Sequence, residues 1–200
     1  MPAAMSGGEW LPLFPLPVAL LPGMHLPLHI FEERYKQMIG DCLRGGEPFG
    51  IVLNRPAGAV QTGCSAEIVA VLRAYDDGRL DIVTRGLKRF RVGGIDAARP
   101  YLMAEVEWLA DDGAAPDPLV SEASALYRDL LGFHGNALLP DSGRAEPLSF
   151  QLAASELFRP ADRQALLEAA DEAERLTRVR DTLRSLKPVL VRIGGNGHPA

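Results

Sequence analysis

Cysteine is nearly missing from this 200-residue chain, with Cys42 and Cys64 the whole complement. Two thiols do not make a disulfide framework for a chain this long, so they read as reduced side chains of a cytoplasmic protein. Lysine is almost as scarce: Lys36, Lys88 and Lys187 are the only three among 21 basic residues. With abundant Ala and Gly, that skew points to a GC-rich bacterial genome. No apolar run reaches the roughly 18 residues of a membrane span. The opening "MPAAMSGGEW" holds no Lys or Arg, so a secretion signal, which needs a positive n-region, is not expected. Excess positive charge is lacking too. A net charge of −5 and a pI near 5.4 disfavour broad binding to nucleic acid or acidic lipid.

Enzyme motifs are absent in the same way. The chain has no G-x-x-x-x-G-K-[ST] phosphate loop, no G-x-S-x-G elbow, no H-E-x-x-H zinc helix and no C-x-x-C pair. The expectation is a protein without catalytic residues, cofactor or metal.

What is present is an ordinary globular composition, 47% hydrophobic and 24% charged. The least polar stretch, "LPLFPLPVALLPGMHLPLHIFEERY" (11–35), is cut by Pro12, Pro15, Pro17, Pro22 and Pro27. Proline has no amide hydrogen, which forbids a continuous helix and confines strands to edges or short pieces. Two extended pieces follow, about Trp10 to Leu16 and Met24 to Ile30, with Pro22-Gly23 turning between them. From Glu32 the period becomes helical. Tyr35, Met38, Ile39, Cys42 and Leu43 share one face, and Gly45-Gly46 stops the helix.

The next sixty residues read as strands. "FGIVLN" (49–54) is a short apolar run, and "AEIVAVLRAY" and "RLDIVT" flank Asp76-Asp77-Gly78 as a hairpin. Gly86 marks a bulge, Gly93-Gly94 turns the chain, and Leu102, Ala104, Val106 and Trp108 share a face. Strands at short intervals with one helix among them suggest a small β-barrel. After a polar linker (110–118) the character is helical. Leu119, Ala123, Leu126, Tyr127, Leu130 and Leu131 form one stripe. Ser149 caps a helix through "FQLAASELF", and Pro160 opens another. Asp171 and Glu174 have capping-box spacing before a helix with inner face Ala173, Leu176, Val179, Leu183 and Leu186, which Pro188 ends.

Few residues suggest chemistry. His25 and His29 share a strand face about 13 Å apart, too far to hold one metal together. His134 and His198 have no identifiable partner. The cluster Arg85, Lys88, Arg89 and Arg91 is the best nucleic-acid candidate. Its plainer reading puts Arg89 and Arg91 on a solvent face, paired with carboxylates such as Glu105 and Glu107.

Four pieces in series carry a resemblance: "LPLFPLPVALLPG" (11–23), "LPLHIFEERY" (26–35), Gly63 before the long hairpin, and "RGLKRFRV" (85–92). With "RQALLEAADEAERLTRVRDTL" further on, this order resembles the N-terminal domain of ATP-dependent Lon proteases, particularly stand-alone bacterial proteins built from that domain. The resemblance covers about Trp10 to Leu186. It implies an α+β fold: a PUA-like, mostly antiparallel β-barrel with one embedded helix (10–109), then a C-terminal helical bundle (117–187), with flexible termini at 1–9 and 194–200. It implies a non-enzymatic protein- or peptide-recognition module that binds unfolded or extended segments and lacks the ATPase and peptidase domains. RNA binding by the PUA-like barrel is the alternative, and a small-molecule pocket a third. The expected partner-binding residues are Pro22, His29, Phe31, Glu32, Arg34, Tyr35 and Lys36. There the proline-rich edge is expected to meet an extended segment that Arg34 and Lys36 orient.

Overall fold

A computed structural model describes residues 8–56, 58–111, 113–132 and 146–194, with side chains described to Pro188. The chain divides into two compact units, Met1–Ala110 and Asp111–Ala200. The fold is α+β, with a mixed, mostly antiparallel sheet and five helices among the described residues.

The first unit holds β1 (Glu9–Leu16), β2 (His25–Ile30), α1 (Glu33–Gly45), β3 (Phe49–Arg55), β4 (Gly58–Ala74), β5 (Leu80–Asp96) and β6 (Leu102–Trp108). Its strand order is β2-β5-β4-β3-β1-β6, and β6 also pairs with β5, so the pairings return on themselves. Among the described residues only β1 and β3 run parallel.

The first proline-rich piece is therefore not an edge, as expected from its sequence, but an interior strand. β1 tolerates its prolines because its two partners overlap only at Leu13. Residues 9–13 pair with β6 and residues 13–16 with β3. Pro12 and Pro15 thus sit where one side alone is bonded, and the missing donor is not required. The true edge is β2, which among the described residues pairs only with β5.

Leu11, Leu13, Val52, Phe90, Ala104 and Val106 form a core cluster against which Val92, Leu102 and Trp108 pack. Phe90 meets Trp108 edge-on at 6.3 Å. The strands close over Phe90 because Gly63 has no side chain: a Cβ there would lie 2.4 Å from the Ile51 carbonyl oxygen and 2.8 Å from the Phe90 ring. Gly86 is similar. Its N–H donates to Met24, its carbonyl accepts from Gly23, and a Cβ would meet the Leu21 carbonyl at 2.2 Å. The bulge expected near Gly86 is present, since the register with β4 shifts between Cys64 and Ala66.

Helix α1 buries Tyr35, Met38, Ile39 and Cys42 and stops at Gly46, whose φ is 65°. Leu43, expected on that stripe, is 42% exposed. Burial pushes the Cys42 thiol up to about 11, so it acts as a small hydrophobe. Gly93-Gly94 do not turn the chain. β5 runs on to Asp96, absorbing the glycines in a register shift between Val92 and Ile95.

The second unit contains α2 (Asp117–Gly132), α3 (Leu148–Ala153), α4 (Pro160–Glu168) and α5 (Glu172–Gly194). Ala123, Tyr127, Leu130, Leu131, Leu176, Val179 and Leu183 are buried, as their helical spacing implies. Pro160 opens α4 as expected. Asp171 accepts the Glu174 N–H at 2.8 Å, and Glu174 reaches back to the Ala170 N–H.

Two expectations fail here. Ser149 lies inside the short α3 rather than capping it. Its hydroxyl donates to Glu172 at 2.6 Å in a buried group with Arg175, whose Nε also donates to Glu172 at 3.0 Å. Pro188 does not end α5, which continues to Gly194. Pro188 is exposed inside the helix, where it removes one hydrogen bond. Glu9 and Gly194, assigned to the flexible termini by sequence, lie in β1 and α5. His134 and His198 fall outside the described residues.

Candidate partner-binding site

The edge strand β2, the two residues after it and the start of α1 bring the expected binding residues to one part of the first unit. Alternation exposes His25, Pro27 and His29 and buries Ile30. Phe31 follows at 61% exposure. His29 stacks on Phe31 with ring centroids 5.9 Å apart and meets Tyr75 edge-on at 6.0 Å. Its Nδ1 lies 2.5 Å from Asp81, to which Tyr75 also donates at 2.8 Å. Hydrogen bonds from His29 and then Tyr75 hold the Asp81 carboxyl below the usual carboxylate range. The bond to Asp81 raises Tyr75 in turn. Two guanidiniums flank this tyrosine: Arg73 at 4.5 Å and Arg79 at 4.7 Å from its ring centroid.

The other expected residues also make contacts within the chain. Pro22 is buried in its turn. Tyr35 is buried against Phe14, ring centroids 4.0 Å apart. Lys36 donates to the Asp77 carbonyl at 2.8 Å and pairs with Glu33, tying α1 to the β4–β5 hairpin tip. Arg34 sends Nε and Nη2 to Glu32 at 3.0 and 2.8 Å, an internal ion pair of two exposed residues. His29 and Phe31 are thus the expected members that present apolar or aromatic surface outward.

Sequence reasoning missed Tyr75 and the outer half of β4, where Val69, Val71 and Leu72 are exposed. The signal was there: "VAVL" (69–72) is a continuous apolar run where a half-buried strand should alternate.

The basic cluster does not form a positive face. Arg85 pairs with Glu67 at 2.7 Å and Arg91 with Glu107 at 3.5 Å. Arg89, expected on the solvent face, is 2% exposed and donates to the Ala110 carbonyl at 2.7 Å. The bulge between Gly86 and Arg89 interrupts strict alternation and turns that guanidinium inward. No group of three His, Cys, Asp or Glu able to hold a metal occurs among the described residues, and no described helix is long and apolar enough to cross a membrane. A shallow cavity of about 320 Å³ is lined in part by Trp10, Asp41, Arg99 and Tyr101, with Tyr101 donating to Asp41 at 2.7 Å.

Residues 10–185 match the family model of the ATP-dependent protease La (LON) substrate-binding domain. This chain belongs to that family. It is 30% identical to the Lon N-terminal domain protein from Xanthomonas campestris, whose crystal structure superposes with a TM-score of 0.67 over 86% of this chain and 96% of that one. The N-terminal domain of Mycobacterium avium complex Lon protease shares the fold at 20% identity, with a TM-score of 0.66 over 88% of this chain and 98% of that one. The Lon protease of Roseiflexus castenholzii is 28% identical over 91% of this chain and 25% of its own length. The chain spans about a quarter of the length of the curated relatives it matches. The family match is to the substrate-binding domain.

Proposed function

We propose that this chain is a non-enzymatic recognition module that binds unfolded or extended protein segments in the cytoplasm. In this reading the returning circuit of strand pairings is the PUA-like barrel, spanning about 10–109, and residues 117–187 form its helical companion. One observation carries the reading: β2 is bonded on one side only and runs directly into Phe31, 61% exposed and stacked on His29. A free edge supplies main-chain hydrogen bonds to an extended segment, while a neighbouring aromatic supplies an apolar anchor. The Glu32–Arg34 pair beside it offers charges of both signs to flanking residues of the segment.

Fluorescence anisotropy with a labelled, permanently unfolded polypeptide tests the site. Phe31→Ala is expected to weaken binding about tenfold, the loss of one anchor worth about 1.4 kcal/mol. Arg34→Ala is expected to weaken it less. Unchanged affinity in both variants, with circular dichroism intact, removes the site. Peptide cleavage or nucleotide hydrolysis by the purified chain alone removes the non-enzymatic reading.

A further inference from the structure

A second edge lies on β4. Its pairing with β3 stops at Ala66, whereas its pairing with β5 runs to Ala74. From Glu67 to Ala74 the strand is therefore bonded on one side, and it carries Val69 and Val71 at 45% exposure and Leu72 at 65%. Register shifts after Ile68 and after Val71 bulge this stretch. Regular alternation would put every second residue on one face. The bulges instead group Glu67, Ala70 and Arg73, which lie opposite Arg85, Val83 and Asp81 of β5.

We propose that this edge pairs antiparallel with the same edge of a second copy of the chain, about a two-fold axis through Ala70. In that register Glu67 faces the partner's Arg73, Val69 faces the partner's Val71, Ile68 faces the partner's Leu72, and Ala70 meets its own copy. The order of residues selects this occupant. An acid at one end of the segment and a base at the other become two opposite-charge pairs when the strand is turned on itself. The apolar residues between them cover one another, and the symmetry closes the assembly at two.

Side-chain geometry leaves the charges available. Arg85 engages Oε1 of Glu67 through both Nε and Nη2, which leaves Oε2 for a further donor. Arg73 makes no hydrogen bond or ion pair among the described residues; its guanidinium rests on the Tyr75 ring. The two edges are on different strands, but Arg73 rests on Tyr75, which also meets His29, so Leu72→Asp is the variant that separates dimerisation from peptide binding.

Sedimentation equilibrium of the full chain over a wide concentration series is the test. A monomer–dimer equilibrium is expected, weakened at least tenfold by Leu72→Asp and by Arg73→Glu, both exposed positions whose change leaves the circular dichroism spectrum intact. Mild oxidation then reads the register, because Cys42 and Cys64 are buried and stay out of the reaction. Ala70→Cys is expected to cross-link with itself, and Val69→Cys to cross-link only when mixed with Val71→Cys. A monomer at every concentration overturns the proposal, as does a dimer indifferent to Leu72→Asp. Self-cross-linking of Val69→Cys equal to its cross-linking with Val71→Cys overturns the register.

Discussion

The two halves of β4 differ more than any two neighbouring segments of the first unit. From Thr62 to Ala66 the strand lies between β3 and β5, every residue is buried, and Gly63 lets Phe90 and the Ile51 carbonyl close in. From Glu67 onward one partner is lost, two bulges appear and apolar side chains face outward. One continuous strand thus serves as structural centre at its start and as open surface at its end. Apolar content would rank the halves the other way, since "TGCSA" (62–66) holds two hydrophobic residues and "EIVAVLRA" (67–74) holds six. What separates them is the number of strands alongside.

That contrast is open to attack at several strengths. Gly63→Val is expected to have the largest effect, because its side chain would have to displace a backbone carbonyl; soluble folded protein should not be recovered at 37 °C. Phe90→Ala, which empties the position that Gly63 accommodates, is expected to cost about 3–5 kcal/mol in urea denaturation without changing the fold. Hydrogen exchange should show the same gradient without mutation, with amides of residues 62–66 exchanging at rates near global unfolding and those of 69–74 orders of magnitude faster. Leu72→Ser should shift stability by no more than about 0.5 kcal/mol, as for other surface changes. A loss of several kcal/mol in that last variant would mean that the outer half belongs to the core after all.

The sequence revealed those elements whose physics is local. Tyr35, Met38, Ile39 and Cys42 show a helical face by spacing alone, and Asp76-Asp77-Gly78 shows its hairpin by turn chemistry; both stand in the structure. Strand neighbours were not legible. Nothing within "LPLFPLP" says that β1 bonds β6 with its first half and β3 with its second, so an interior strand looked like an edge. Bulges were hidden for the same reason, because they are a relation between two strands; this is how Arg89 came to be placed on the wrong side. The candidate site was legible in part. His29 and Phe31 are exposed, while Pro22 and Tyr35 are buried, Tyr35 against Phe14, twenty-one positions earlier.

The inward turn of Arg89 bears on where the first unit can be cut. Its guanidinium is permanently ionised and grips the carbonyl of Ala110, two positions beyond the last residue of β6. A fragment ending at Trp108 would remove that acceptor from the buried guanidinium. Expression boundaries for an isolated sheet unit therefore belong past Ala110, even though the final strand is already finished.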